Sequence, residues 1–179
     1  MENRHLSGIY IVPFEERWAS EFNSLNQVIS DALGDLIQHI EHVGSTSVKG
    51  LAAKPIIDLD VVIKDRSFFS KVAEKLHELG YIHKGDLGIE GREAFGRTDI
   101  HVPWGENARQ WMEHHLYVCT KDNEELHRHV TFRNYLISHP DVASEYEQLK
   151  LHLAKTARSR EEYTEAKTEF INRVLDLAK

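Results

Sequence analysis

Two aspartates, Asp58 and Asp60, interrupt an otherwise apolar run, Ile56-Ile57-Asp58-Leu59-Asp60-Val61-Val62-Ile63. Residues two apart on a strand point to the same side of a sheet, so both carboxylates share one face while Ile57, Leu59 and Val61 share the other. The run is too apolar for a solvated edge, which leaves the acid pair aimed into a site. Two adjacent carboxylates repel unless a cation lies between them, and hard oxygen ligands suit magnesium or manganese. Just upstream, Gly44-Ser45-Thr46 offers small residues, hydroxyls and backbone N–H groups opening a helical turn, the chemistry of a phosphate cradle. The bland reading of Ser45 and Thr46, a helix N-cap, has the same geometry and coexists with it. Lys54, immediately before the acidic strand, is a candidate anion contact. Acids and cradle together point to metal-assisted chemistry on a nucleoside triphosphate.

Further charges are singled out by periodicity. Arg133 shares a helical stripe with Leu126, Val130 and Ile137, and Lys167 lies between Tyr163 and Phe170-Ile171. A basic residue on an apolar stripe either snorkels to water or aims its charge into a cleft. On two helices at once, the second reading has them neutralising a triphosphate tail. Arg92 and Arg97 are weaker versions of the same idea. Twelve histidines invite a zinc reading. However, the neighbours His114-His115 point apart on a strand, His127 and His129 diverge on a helix, and no His-Glu-x-x-His is present. A Ser or Cys hydrolase lacks its Gly-x-Ser-x-Gly elbow, and Cys119 sits in an apolar strand that favours an inert thiol.

The elements that position these groups follow from the pattern. Residues 7–12 form a lead-in strand or arm stopped by Pro13, and Trp18, Phe22, Leu25, Ile29 and Leu33 mark a helix over 14–33 closed by Gly34. Strands are expected at 37–43 and 55–63, the latter with Pro55 as its first residue. A helix stripe at Phe68, Phe69, Val72, Leu76 and Leu79 ends at Gly80, and two short strands lie near 81–82 and 94–95. Residues 99–111 are expected to form a loop flanking the site, and 114–120 a strand. Asp122 with Glu125 has capping-box spacing for a helix of 123–138 that Pro140 ends. Val142, Tyr146, Leu149 and Leu153 define the next helix, and Ser159 with Glu162 caps the last. The expected fold class is α+β: one domain over 1–179, with a mixed-sheet core to about 121 and a helical part over about 122–179.

Composition excludes several classes of function. A length of 179 residues suits one well-filled core. A formal net charge of −7 argues against general nucleic-acid binding. The single cysteine allows no internal disulfide, which fits a reducing cytoplasm. No apolar run approaches the roughly 20 residues that span a bilayer, and the N-terminus lacks a signal-peptide core.

The stretch HVGSTSVKGLAAKPIIDLD resembles the nucleotidyltransferase superfamily, whose mark is a hydrophobic-Gly-Ser turn followed by an acid-x-acid strand, and in wording it resembles the GrpB-like branch. The resemblance runs from the Trp18 region through the helical C-terminus. It implies a nucleotidyltransferase-like fold and transfer of a nucleoside monophosphate from an NTP to an unknown acceptor. Asp58 and Asp60 would then be catalytic and metal-binding, with Mg2+ or Mn2+ as cofactor. Superfamily members usually carry a third carboxylate on a neighbouring strand; here that strand reads Glu113-His114-His115-Leu116-Tyr117-Val118, and alternation puts His115 in the third ligand's place. Where the branch is similar to His-Leu-His, this chain has His115-Leu116-Tyr117. A phenol of pKa about 10 cannot do an imidazole's work at neutral pH. That departure bears on the metal shell and on catalytic competence. The alternative is a non-catalytic nucleotide or anion binder. A coenzyme A-pathway accessory role is a further alternative, because similar segments are fused to dephospho-coenzyme A kinases.

Overall fold

The protein is described from a computed structural model covering residues 9–179. Ten main elements follow in chain order: α1 (Arg17–Leu33), β1 (His39–Val43), β2 (Ile57–Ile63), α2 (Phe69–Glu78), β3 (Tyr81–Gly85), β4 (Arg92–Arg97), β5 (His114–Thr120), α3 (Glu124–Ser138), α4 (Pro140–Thr156) and α5 (Arg160–Leu177). The strands form one sheet in the order β1-β2-β5-β4-β3. Only β2 and β5 are parallel; the other pairs are antiparallel. The fold class is therefore α+β with a mixed sheet.

Burial explains the order. Ile57, Leu59, Val61, Val62 and Ile63 of β2 are all fully buried, so this strand takes a central position. Its inner face packs with Trp18, Leu25 and Ile29 of α1 and with Val72 and Leu76 of α2. The strand starts at Ile57, two residues later than expected. Pro55 has no N–H to give a ladder, and the chain turns there through an Ile56 N–H to Lys54 carbonyl bond. Residues 9–12 form an arm, not a strand: Val12 makes one antiparallel bridge to Ala53, and Ile9 is buried against Ala154, Ala157 and Tyr163. Residues 7 and 8 of the expected lead-in lie outside the described residues.

The helical part closes over the Gly-Ser turn. Val48 and Leu51, just after that turn, pack with Leu136 of α3, Tyr146 of α4 and Phe170 and Val174 of α5. Three local expectations are corrected. Asn123, not Asp122, caps α3, its side chain accepting from the Leu126 N–H. Pro140 also opens α4, where its missing N–H has no intrahelical partner to lose. Leu136, rather than Ile137, completes the buried face of α3, and Ile137 is 54% exposed. Ser159 does cap α5, accepting from the Glu162 N–H. Among the described residues, no helix is long and apolar enough to cross a membrane.

Candidate functional site

The ladder register places the acids. Asp58 lies opposite Val43 on β1 and His115 on β5; Asp60 lies opposite Glu41 and Tyr117. All four side chains of the two acids, His115 and Tyr117 therefore lie on one face, away from the α1–α2 core. Above that face is a cavity of about 410 Å³. Gly44, Ser45, Thr46, Lys54, Asp58, His115 and Lys167, all singled out from the sequence, line it together with Arg92 and Tyr117.

Gly44 is indispensable to this geometry. Its φ of 73° and ψ of −178° belong to a region that only glycine enters readily, and a Cβ there would lie 2.3 Å from Asp58 Oδ2. The turn thus rests directly on the acid. After it, residues Ser45–Ser47 form a 3-10 turn. The Thr46 hydroxyl faces inward: it donates to the Ile56 carbonyl at 3.1 Å and accepts from His42 Nε2 at 3.0 Å. His42 is held neutral, its pKa lowered to about 4 by burial. The Ser45 hydroxyl instead accepts from the Lys150 ammonium at 3.0 Å, which leaves its own proton to donate.

The acids are already met by imidazoles. His115 Nδ1 lies 3.0 Å from Asp58 Oδ1, and this hydrogen bond raises the histidine's pKa. His129 Nδ1 lies 2.7 Å from Asp60 Oδ2, and its Nε2 lies 3.3 Å from Glu125. Burial disfavours a charged His129 ring, but the two carboxylates outweigh it and lift the pKa to about 9. Asp60 is 1% exposed, and its Oδ1 has no hydrogen-bond partner. The His115 ring is thus hydrogen-bonded to Asp58, the first of the two acids. Among the described residues, no three His, Cys, Asp or Glu side chains converge as a ready metal centre. The acid pair still fits a hard divalent cation in one respect. Asp60 Oδ1 is a buried, unpaired acceptor, and Asp58 Oδ2 is not used by His115.

The cavity is otherwise basic. Asp58 is the one carboxylate among the described residues lining it, against Lys54, Arg92, Lys150 and Lys167. Lys54 and Lys167 lie 4.4 and 4.3 Å from the Tyr163 ring centroid. Lys150 is 2% exposed and also donates to the Ala52 carbonyl. Burial, then the neighbouring Lys167, lowers the Lys150 pKa to about 7. Burial, then Lys54, lowers Lys167 to about 8. Arg92 stacks over Tyr117 at 4.2 Å, and its Nε is buried without a partner. Such a set of desolvated cations is favourable only with an anion among them.

Three placements differ from expectation. Arg133 does face inward, but its guanidinium donates to Glu41 Oε2 at 2.5 Å and to the His42 carbonyl at 2.8 Å. It ties α3 to β1 and is absent from the cavity lining. Residues 99–111 do not flank the cavity. Val102 and Trp104 pack on Gly80, and Arg109 pairs with Glu21 of α1, at the far side of the sheet. Arg97 donates to the Met112 carbonyl at 3.4 Å, away from the cavity. Two further residues join the candidates: His129, weighed from the sequence only as half of a zinc pair with His127, and Lys150, not singled out there. His129 lies one turn before Arg133 on the same stripe, and Lys150 lies four residues after Tyr146 and three before Leu153, the same signal of a charge on an apolar stripe that singled out Arg133 and Lys167.

The comparisons with known proteins agree with this geometry. The family model described as GrpB protein matches residues 8–177. The Bacillus subtilis protein YqkA, of the group UPF0157, is 34% identical over 172 residues. That match covers 96% of this chain but 47% of YqkA, so the chain spans about half the length of that relative. The crystal structure of the conserved protein GrpB from Enterococcus faecalis superposes with a TM-score of 0.78 at 30% identity, covering 94% of this chain and 96% of that one. Cid1 in complex with the UTP analogue UMPNPP gives a TM-score of 0.55 at 13% identity, covering 87% of this chain and 48% of Cid1. At that identity the likeness is one of fold. The Gly-Ser turn beside an acid-x-acid strand, the match along nearly the whole chain and the shared architecture lead to one conclusion: the chain belongs to the GrpB protein family and has a nucleotidyltransferase-like fold.

Proposed function

We propose that the protein is a metal-dependent nucleotidyltransferase that moves a nucleoside monophosphate from an NTP to an acceptor. One observation carries this reading: Asp58 faces, across one cavity, a Gly-Ser turn and three lysines that have no carboxylate partner, with Asp60 buried two residues further along the same face of the central strand. Cid1, similar in fold, was solved with a UTP analogue, which supports a nucleotide as the ligand. N–H groups at the start of the turn, at Ser45 and Thr46, and the Ser45 hydroxyl would donate to the β- and γ-phosphates. Lys150 fixes the Ser45 oxygen and adds charge from below. Lys54 and Lys167 would neutralise the tail from the Tyr163 side. Asp58 and Asp60 would hold Mg2+ or Mn2+, which when bound supplies charge neutralisation at the reacting phosphate. His115 and His129 orient the two carboxylates through their Nδ1 atoms.

The test is calorimetry of NTPs with magnesium or manganese, on the wild type and on Asp58→Asn/Asp60→Asn. Metal-supported nucleotide binding should vanish in the variant, and equal metal-supported affinity in both proteins would refute the proposal. A second reading, a non-catalytic nucleotide or anion binder, is favoured by the imidazole already placed on each acid and by Tyr117. Pyrophosphate release across a panel of nucleotides and acceptors separates the two, since only a transferase releases it.

A further inference from the structure

The cleft continues past Lys54 and His115. A second cavity of about 360 Å³ shares Lys54, Ile56, His115 and Thr164 with the first. Its remaining wall is made by the Ile9-Tyr10 arm, Pro55, Glu113 and Arg160. The first cavity reaches both flanks of the acid strand, from Gly44 after β1 to His115 and Tyr117 of β5, whereas the second is lined by no residue of β1 or of the Gly-Ser turn and lies toward the start of β5. This matters for displacement at phosphorus, where the entering and leaving oxygens are roughly in line. With pyrophosphate leaving into the Gly-Ser cradle, the entering oxygen comes from the direction away from that turn, and the second cavity, which the turn does not line, opens there.

Its side chains describe what would enter. Among the described residues, neither Arg160 nor Lys54 takes part in an ion pair found for any lysine or arginine. Arg160 is near enough to Lys54 to lower its pKa, after the larger effect of burial. Two unpaired cations beside one another suit a dianion, and a guanidinium fork suits phosphate oxygens. Glu113, exposed on the same wall, is an acceptor for a hydroxyl. Tyr10, 66% exposed beside the buried Ile9, forms an open ledge. The volume suits a small molecule, and the chain's net charge of −7 offers no basic track for a polynucleotide.

Building on the nucleotidyl-transfer reading, we infer that this second cavity is the acceptor subsite and that the acceptor is a small phosphate monoester with a free hydroxyl, its phosphate held by Arg160 and by Lys54, which lines both cavities and lies between that phosphate and the triphosphate tail. The hydroxyl oxygen forms a bond to the α-phosphorus as the bond to the α–β bridging oxygen breaks. The electron pair leaves on pyrophosphate, and the hydroxyl proton passes to solvent at the open cavity mouth.

The experiment saturates the cradle with tripolyphosphate and then titrates inorganic phosphate and, separately, glycerol 3-phosphate by calorimetry. Wild type and Arg160→Gln are compared. Arg160 is exposed, so its substitution should leave folding intact. The wild type should bind one further equivalent of each probe. The variant should bind them at least about 10-fold more weakly, with tripolyphosphate affinity unchanged. Failure of both probes to bind the wild type, equal affinity in the variant, or simple competition with tripolyphosphate would overturn the inference. If tripolyphosphate itself does not bind, the nucleotide reading falls separately. The same titration without it still decides whether Arg160 holds a phosphate.

Discussion

Gly44→Ala tests the contact on which the site is built. The backbone there has φ 73° and ψ −178°, and holding a non-glycine residue in that region costs about 1–3 kcal/mol. The added methyl would also lie 2.3 Å from Asp58 Oδ2 and 3.1 Å from its Cγ, so either the turn or the carboxylate must move. Overpacking of this kind adds about 1–3 kcal/mol. The single substitution should therefore destabilise by about 2–6 kcal/mol in urea unfolding, equivalent to a fall of roughly 4 °C or more in Tm for a chain of this size. In an Asp58→Ala background the clashing carboxylate is gone, and the backbone cost remains with one tight contact to the retained Cβ at 3.3 Å. The two substitutions should thus be coupled by about 1–3 kcal/mol, the double variant being more stable than the sum of the singles predicts. Four urea curves measure this, and tripolyphosphate calorimetry on the same proteins reports whether the cradle survives. Additivity within about 0.5 kcal/mol would show that the turn does not rest on Asp58 and would refute the reasoning.

Three further outcomes follow from the cations and helices. Lys167→Met keeps the stem against Tyr163 and removes the charge; NTP affinity should fall by about 1.5–3 kcal/mol with wild-type melting, and unchanged affinity would remove Lys167 from the site. Lys150, with its pKa at about 7 against an ordinary 10.5, binds fewer protons when folded than when unfolded across that interval. Its penalty is complete below about pH 7 and is relieved as pH rises, so the stability of Lys150→Met relative to wild type should decline from pH 7 to 9, by up to about 1.4 kcal/mol per unit. A stability difference independent of pH would contradict the burial of that charge. A chain ending at residue 121 would expose Val48 and Leu51 and remove Lys150 from Ser45; it should lose tripolyphosphate binding, and normal binding by a cooperatively folded fragment would show the helices to be a detachable module.

The sequence by itself determined the elements and the chemistry at their ends. Apolar periodicity marked α1, α2 and β2, and strict alternation paired Asp58 with Asp60 and His115 with Tyr117, because strand geometry is local and has period two; the register of β2 on β5 then put the two pairs on one face. The Gly-Ser turn before the acid strand was visible for the same reason: both parts lie within one short segment. Tertiary structure decided which distant charges the acids meet. The stripe on α3 showed that Arg133 faces inward, but only the packing of α3 across β1 and β2 determined its partner. That packing sets Arg133 on Glu41 and, one turn earlier, His129 on Asp60. The partners of Lys150 were set only when α4 closed over the turn, where the Ser45 hydroxyl and the Ala52 carbonyl receive its ammonium. The loop at 99–111 went to the far side because Gly80 leaves room there for Trp104 and Val102. Helical period names a face but not the surface it will cover; long-range packing settles that, through burial and through the charges it brings within hydrogen-bond reach.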